Sequence, residues 1–269
     1  MSDRSDRPGI VDTHLHLDDP AFDHDRDDVL GQARAAGVKR FITIGHVPER
    51  WESSRALRDR YHDVDFVIGL HPQDADEFSA LVGRALSSAV RDLRPIAIGE
   101  TGFDFFRTSA TRPAQEAAFR AQAEIAEGER LPIVIHQRDA SDAVIRVLDS
   151  YSRLAPIVLH SFDGSERMAD WALERGCYFG IGGLAAKPAA EALRGILRRL
   201  PAERLVLETD APYLAPPGVK SRRNEPKNLP RIAGLLAPLW GLTAEDLCAT
   251  TTRNANLVFP EFSEASPSP

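Results

Sequence analysis

Short hydrophobic runs alternate with longer amphipathic stretches along most of the chain. Each run carries mostly Val, Ile, Leu or Phe and is short enough to be a buried strand. Eight such runs occur, at residues 9–14, 40–45, 65–71, 95–100, 131–136, 155–160, 177–182 and 204–210. The pattern therefore predicts eight strands separated by helices.

The stretches between these runs carry signals for helix starts and stops. The segment "DRDDVLGQARAAG" ends on Gly37, and "PAQEAAFRAQAEIAEG" opens with Pro113 and closes on Gly128. Proline in the first turn and glycine past the last turn are typical of helix boundaries. The segment "TAEDLCATTTRNANLVF" predicts one further helix after the eighth strand, with Thr243 as its N-cap.

Strands that alternate with helices imply right-handed βαβ units and a parallel sheet. Eight such units in about 250 residues match a (β/α)8 TIM barrel. A doubly wound open sheet is the competing fold, but it usually has a glycine-rich turn after its first strand. The first run continues as "VDTHLHLDD", which contains no glycine. We therefore expect an α/β fold, a closed (β/α)8 TIM barrel, with an extra C-terminal helix.

The composition and the two ends of the chain indicate the limits of the domain and the cellular compartment. The chain has 269 residues, of which 43% are hydrophobic and 27% charged, as in ordinary soluble proteins. We expect one barrel domain over residues 10–260, with flexible tails at 1–9 and 261–269. No apolar run reaches about 18 residues, and the polar N-terminus does not resemble a secretory signal. Only two cysteines occur, which fits a reducing cytosol. We expect a cytoplasmic protein with no membrane association and no obligate protein partner.

The net charge of −7 argues against broad binding of nucleic acid through phosphate contacts. A nucleic-acid-binding module without chemistry would need a basic face or stacking aromatics. The chain has 7% aromatic residues and a pI near 5.6, so it offers neither. A compact site where metal cations and a few basic side chains meet a phosphate stays compatible with this charge.

Histidines and carboxylates collect at the ends of the predicted strands. In a TIM barrel the chemistry lies at the C-terminal ends of the strands. Five of the eight histidines and two carboxylates lie at or just past such ends: His14, His16, His71, Glu100, His136, His160 and Asp210. Strand side chains alternate between faces, so His14 and His16 point the same way. This combination is the ligand set that zinc, manganese and similar ions take.

The number of candidate ligands indicates more than one ion. One catalytic zinc uses about three protein ligands, whereas two ions can share a bridging carboxylate. Glu100 is the expected bridge. The candidate metal ligands are His14, His16, Glu100, His136, His160 and Asp210. For His71 a structural or substrate contact is the favoured role, and His24, His46 and His62 are expected to be ordinary polar residues.

Basic residues near the predicted barrel mouth are candidate substrate contacts. The loop "APYLAPPGVKSRRNEPKNLP" after the eighth strand is stiffened by proline and carries Arg222 and Arg223. Barrels often bind phosphate in this region, although a solvated basic loop is an equal alternative. Arg138, two residues after His136, could clamp an anionic oxygen. We expect Arg138, Arg222 and Arg223 to bind substrate, together with His71.

Seven motifs in order resemble the TatD family of metal-dependent hydrolases over about residues 10–259. They are "DTHLHLD", "GLHP", "GETGFD", "PIVIHQRDA", "HSFDG", "ETDAPYLAP" and "RRNEP". The resemblance implies an amidohydrolase-like barrel in which His14, His16 and Asp210 hold one ion. It implies that His136 and His160 hold the other and that Glu100 bridges them. Members of the family are DNases, often 3′-5′ exonucleases on single-stranded DNA or RNA.

The chain departs from the family pattern at several positions, none of which removes a predicted ligand. The fourth histidine motif carries Ser161 and Asp163, and Asp163 adds negative charge near the second ion. Phe103 follows "GETG", Lys220 stands in the basic motif, and Gln73 follows "GLHP". These changes bear on the substrate rather than on the metals.

The leading hypothesis is a nuclease in which two divalent ions (Zn, Mg or Mn) activate a water that cleaves single-stranded DNA or another phosphodiester. Glu100 and Asp210 are the predicted catalytic residues, with Asp210 as general base. One alternative is a two-metal hydrolase of an aminoacyl ester, amide, lactone or phosphotriester, which the negative charge favours. A non-catalytic barrel is disfavoured because all six ligand positions are filled. We expect Asp12 to orient an imidazole, and Asp18 and Asp19 to begin the next helix.

Overall fold

Eight parallel strands form one sheet in sequence order. The structure, a computed structural model, describes residues 9–107, 109–154 and 156–259. Apart from Gly9, both predicted tails lie outside the described residues. The strands are β1 Ile10–Leu15, β2 Val38–Gly45, β3 Val64–Ile68, β4 Ala97–Asp104, β5 Ile133–Arg138, β6 Ile157–Leu159, β7 Tyr178–Ile181 and β8 Leu205–Leu207.

An α-helix follows every strand, and a short 3-10 turn precedes that helix after the first, second, third and eighth strands. The α-helices are α1 Arg26–Ala35, α2 Trp51–Arg60, α3 Ala80–Leu93, α4 Arg112–Glu129, α5 Ser141–Leu148, α6 Glu166–Glu174, α7 Gly183–Ala186, α8 Glu191–Leu197, α9 Leu229–Leu236 and α10 Ala244–Val258. The alternation of strand and helix confirms the predicted order of elements.

The barrel closes between β1 and the chain that follows β8. The amide of Asp210 donates to the carbonyl of His14 at 2.9 Å, and the amide of His16 donates to the carbonyl of Ala211 at 2.8 Å. These bonds join the first and last strands at their C-terminal ends. The predicted TIM barrel is therefore confirmed, and its seam runs through residues of the candidate site.

Asp12 fastens this seam instead of orienting an imidazole, so the prediction for Asp12 is wrong. Its two carboxylate oxygens accept hydrogen bonds from the amide and the hydroxyl of Thr209, at 3.0 and 2.6 Å. Asp12 is fully buried, and a buried carboxylate needs such partners. Its role is to hold the residue that precedes Asp210.

The inside of the barrel is filled by branched side chains from alternate strand positions. Ile42 and Ile44 of β2 lie in one buried cluster with Val67 and Val134, and α10 adds Val258 to it. Side chains two residues apart on a strand lie on the same face of the sheet, so Ile42 and Ile44 both point into the barrel. The carbonyl of Phe259, just after α10, accepts a hydrogen bond from Arg40 near the start of β2. The end of α10 therefore covers the N-terminal end of the barrel, and the candidate ligands lie at the other end.

The predicted start of the extra C-terminal helix is confirmed. Thr243 is the N-cap of α10, and its hydroxyl accepts from the amide of Asp246 at 3.1 Å. The Asp246 carboxylate in turn accepts from the amide of Thr243, which completes a capping box. Two amides that have no partner within the helix are thereby satisfied.

Thr243→Ala is expected to lower the free energy of unfolding by about 1 kcal/mol, because it removes this cap. Thr243→Ser keeps the hydroxyl and is expected to stay near wild type. Urea denaturation followed by circular dichroism measures the difference. Equal stability of the alanine and serine variants would show that the cap contributes nothing.

Helix α4 ends one residue later than predicted. The helix continues through Gly128 to Glu129, and the left-handed residue that ends it is Arg130, with φ 57°. The amide of Arg130 bonds to the carbonyl of Ala126. Gly37 does take a left-handed φ of 103° after α1, as expected for a glycine stop. A glycine in the last turn is therefore not by itself the cap.

Within the described ranges, no single helix is long and apolar enough to cross a membrane. The segments Pro226–Trp240 and Ala244–Val258 pass that test of length and composition as a pair, bent by 98° at the break between them. Leu229, Ile232 and Leu247 of these segments are buried inside the protein.

Candidate metal centre

A bulge in β4 brings Glu100 into the barrel mouth. The register of β4 against β5 advances by three residues on β4, from Ile98 to Thr101, while β5 advances by two. The extra residue makes a β-bulge, which redirects side chains locally. Gly102, with φ 136°, lies so close to β5 that an added Cβ would be 2.1 Å from the carbonyl oxygen of His136. Only glycine permits this approach.

Glu100 lies at the centre of the predicted ligands. Its Oε2 is 3.2 Å from Nε2 of His14. Its Oε1 is 2.5 Å from Nδ1 of His136, 3.6 Å from Nε2 of His71 and 3.7 Å from Nε2 of His160. The two oxygens of one buried carboxylate thus face different histidines, which is the arrangement a bridging ligand needs.

Asp210 joins the same cluster from the end of β8. Its Oδ1 is 3.4 Å from Nε2 of His16 and 3.8 Å from Nε2 of His160. Asp210 has a left-handed φ of 56°, a conformation that aspartate and asparagine adopt more readily than most residues. This turn and the backbone bond to His14 direct the carboxylate into the barrel mouth.

The donor atoms fit metal ions. Three groups have one ligand atom from each residue within 4.8 Å of the others: His14 with His160 and Asp210, His14 with His16 and Glu100, and His71 with Glu100 and His136. Among the described residues, both ring nitrogens of His14 and Nδ1 of His16 are buried without a hydrogen bond. Buried polar atoms of this kind call for a partner, and the cluster could therefore bind metal.

The two carboxylates of the cluster are held ionised by the histidines around them. Burial by itself would raise the pKa of Glu100, but His160, His14 and His71 hold that pKa well below its usual range. For Asp210 burial is likewise outweighed, first by the hydrogen bond with His16, so its pKa is also lowered. Ionised carboxylates are the form that binds cations.

The histidines fall into two classes by charge. Burial lowers the pKa of His14 and of His71, so both rings are neutral near pH 7. Burial also opposes the charge on His136 and His160, but carboxylates outweigh it. Asp104 and Glu100 raise the pKa of His136 to about 9, and Glu208 and Glu100 raise that of His160 to about 10. Positive charge between these carboxylates is therefore stabilised.

Two carboxylates behind the cluster were missed by the sequence-based prediction. Glu208 Oε1 lies 3.0 Å from Nδ1 of His160 and also accepts from the amide of Ser161 at 2.6 Å. Asp104 Oδ2 lies 3.4 Å from Nε2 of His136 and accepts from the side chain of Gln73 at 3.0 Å. Glu208, in "ETD", directly follows β8, and Asp104, in "GFD", is the last residue of β4; these positions at strand ends were the available signal.

Glu208→Gln is expected to weaken metal binding about 10- to 100-fold, because a carboxylate that holds the far nitrogen of a ligating histidine sets its tautomer and orientation. Calorimetric titration of chelator-treated protein with Zn²⁺ measures the loss. Glu203→Gln is the matched control, because it makes the same change at an exposed glutamate shortly before β8. If Glu208→Gln bound Zn²⁺ with unchanged affinity, Glu208 would have no role in metal binding.

The cluster forms the floor of a cleft of about 900 Å³. Arg138 and His71 line this cleft as predicted, and so do Arg107, Lys187 and Asp163, which were not predicted to bind substrate. Burial raises the pKa of Asp163 to about 6. Beside the metal cluster, the cleft thus offers a substrate basic side chains together with carboxylates such as Asp163 and Asp74.

Arg222 and Arg223 do not line the cleft, which is contrary to the sequence-based prediction. The guanidinium of Arg223 is held by Asp25 at 2.6 Å and by Glu225 at 2.8 Å. Arg222 is exposed. Arg223 therefore ties its loop to the segment before α1, and its donors are already engaged.

Two further residues near the cluster differ from their predictions. His46 lines the cleft, with its ring 5.1 Å from that of His16, and burial lowers its pKa to about 3. Asp18 does not begin a helix. Its carboxylate is buried and lies 3.5 Å from Arg50, whereas Asp19 caps the short turn Pro20–Phe22. His24 and His62 are exposed, as expected of ordinary polar residues.

Comparison with known proteins identifies the family of the chain. The model of the family described as "TatD related DNase" matches residues 11–260. The chain belongs to this family. It is 39% identical over 264 residues to the "3'-5' ssDNA/RNA exonuclease TatD" of Cronobacter sakazakii, with 96% of this chain and 100% of that protein covered. The protein of the same name from Klebsiella pneumoniae is 37% identical, with 93% and 97% covered.

A solved TatD relative has the same fold. The crystal structure of the TatD homolog YJJV from Escherichia coli K12 superposes with a TM-score of 0.88 and 28% identity, covering 93% of this chain and 97% of that one. The resemblance to the TatD family based on seven motifs is therefore confirmed over nearly the whole chain.

Proposed function

We propose that this TatD-family protein is a metal-dependent hydrolase that removes nucleotides from the 3′ end of single-stranded DNA or RNA. The observation that carries the proposal is the position of Glu100, whose two carboxylate oxygens face separate histidines at the floor of an open cleft. The printed activity of the two TatD relatives, which match nearly the whole chain, supports the substrate class.

Two divalent ions fit the donor set better than one. His14, His16 and Asp210 would hold the first, His136 and His160 the second, and Glu100 would bridge them. His71, 3.6 Å from Oε1 of Glu100, is an additional candidate ligand. When bound, such ions lower the pKa of a water toward neutrality and neutralise phosphate charge. Metal analysis of the purified protein identifies the ions as Zn, Mg or Mn.

Asp210 is the proposed general base. A base must be ionised at the working pH, and the lowered pKa of Asp210 meets that need. Oδ1 faces His16 and His160, which leaves Oδ2 to accept the proton of the attacking water. His16 then stabilises the orientation of the carboxylate through its Nε2.

Arg138 is the proposed phosphate contact. In the described part of the chain its guanidinium has no hydrogen bond and no ion pair, and it lines the cleft two residues beyond His136. Its donors are therefore free to bind a non-bridging oxygen of the scissile phosphate. Charge that builds on that oxygen during cleavage would be stabilised by the same contact.

Digestion of single strands labelled at one end tests the polarity and the substrate. With Mg²⁺, Mn²⁺ or Zn²⁺ present, we expect a 3′ label to be released at once as a mononucleotide and a 5′ label to remain on progressively shorter products. Excess chelator is expected to stop both. Release of the 5′ label first, or internal cleavage alone, would contradict the 3′-5′ assignment.

Hydrolysis of another bond is the second candidate function, and Asp163 is the observation that favours it. A carboxylate in the cleft adds negative charge where a phosphodiester would bind. An aminoacyl ester, amide, lactone or phosphotriester would avoid that repulsion. Assays of these substrates beside single-stranded DNA decide between the two, because the preferred substrate has the larger kcat/KM.

A further inference from the structure

Phe106 projects from the barrel mouth beside the cleft. Its side chain is 61% exposed, although a phenyl ring gains free energy when it leaves water. Its backbone is fixed: the amides of Phe106 and Arg107 both donate to Oδ1 of the fully buried Asp104, at 2.8 Å each. The ring is therefore held at a fixed place beside the cleft, where a bound substrate can reach it.

The neighbouring residue anchors this loop from the inside. The amide of Phe105 donates to the carbonyl of Arg138 at 2.9 Å. The ring of Phe105 lies 5.4 Å from that of Phe103, between centroids, and the guanidinium of Arg112 covers it at 4.2 Å. Phe105 is therefore held against the core, while the next side chain, Phe106, faces outward.

Arg138 connects Phe106 to the cleft. The guanidinium carbon of Arg138 lies 4.3 Å from the centre of the Phe106 ring, a distance typical of a cation–π contact. Arg138 also lines the cleft. Unlike Arg223, whose donors are held by Asp25 and Glu225, it keeps its hydrogen-bond donors free among the described residues. One face of the ring is thus covered by a guanidinium, and the rest is open to solvent.

We propose that Phe106 and Arg138 form a stacking platform for one base of the bound strand. The base stacks on the open part of the Phe106 ring, and Arg138 contacts the phosphate beside it. Aromatic stacking accepts every base and requires that the base be unpaired, so the platform selects single strands without selecting sequence. The inference rests on the proposed nuclease function and adds a specificity-determining contact to it.

Other exposed hydrophobic side chains do not offer this combination. Leu81 and Leu257 are 68% and 72% exposed, but they are aliphatic and offer no aromatic face on which a base can stack. Tyr213 lines the cleft, but its hydroxyl donates to Asp19 and its ring packs edge-on against His16. Among the described residues, Phe106 is the exposed ring that has a free basic side chain on one face.

Kinetics on strands that lack one base test the platform. Wild type, Phe106→Leu and Phe106→Tyr are compared, with Leu257→Ala as a matched loss of an exposed hydrophobic side chain. Substrates are an intact single strand and a series with one abasic analogue at successive positions from the 3′ end. For Phe106→Leu we expect KM on the intact strand to rise about 5- to 150-fold, with Phe106→Tyr and Leu257→Ala near wild type.

The abasic series separates stacking from a structural role. At one position, the abasic analogue is expected to raise KM of wild type to the value of Phe106→Leu, and to leave the KM of Phe106→Leu unchanged. An equal loss for Phe106→Leu on every substrate, or no loss on the intact strand, would overturn the platform. A wild-type protein that degrades no single strand would instead overturn the proposed function itself.

Discussion

Glu100→Gln is expected to lower kcat/KM on single-stranded DNA by at least about 10³-fold, since a bridging metal ligand supports several kcal/mol of transition-state stabilisation. The substitution keeps the shape of the side chain but replaces one anionic oxygen by an amide group. Because the oxygens of Glu100 face His14 on one side and His136 on the other, the loss disturbs both ligand groups. Initial rates under metal saturation measure it.

Two controls make the Glu100 result interpretable. Glu124→Gln removes an exposed carboxylate from α4 and is expected to leave kcat/KM near wild type. Circular dichroism shows whether Glu100→Gln still folds. A folded Glu100→Gln variant that retains activity within a few fold of wild type would show that Glu100 does not hold the metal centre.

Asp210→Asn is expected to lower kcat about 10²- to 10⁴-fold, the usual contribution of a general base. Asparagine tolerates the left-handed backbone of this position, so the fold should be retained. The carboxamide cannot take a proton from water at neutral pH. Single-turnover rates on a 3′-labelled strand measure the chemical step separately from product release.

The chain supplies a matched control for Asp210. Asp139 is also an aspartate with left-handed φ, 53°, at the end of a barrel strand, but it is exposed and does not line the cleft. Asp139→Asn should change kcat by less than about twofold, since exposed charges interact weakly. If both variants lost activity equally, the general-base assignment of Asp210 would not stand.

The sequence predicted the fold and the positions of the six candidate ligands because both depend on short-range patterns. The hydrophobic runs predict the order of the strands, and the His, Asp or Glu at the end of a run predicts a side chain at the barrel mouth. The structure brings His14, His16, Glu100, His136 and His160 together with Asp210. Hydrophobic patterning alone ended β4 at Glu100, whereas the strand continues through a bulge to Asp104, so Asp104 was overlooked.

Long-range partners could not be predicted from local patterns. Arg223 stands in a basic loop but pairs with Asp25, which is 198 residues away in sequence, so its charge is used within the fold. Asp12 looked like a support for a histidine, yet its partner is Thr209 across the barrel seam. Glu208 and Asp210 are alternate residues of one motif, and only the geometry shows that Glu208 faces Nδ1 of His160.

Metal content measured together with activity shows whether the cluster around Glu100 is a two-metal hydrolytic centre. Purified wild type and Glu100→Gln are analysed for bound divalent ions, then stripped with chelator and reloaded with Mg²⁺, Mn²⁺ or Zn²⁺ before digestion of a 3′-labelled single strand. We expect about two ions per wild-type chain, fewer in Glu100→Gln, and activity that is lost on stripping and restored on reloading. Wild type that binds no divalent ion, or that digests the strand equally well after stripping, would contradict it.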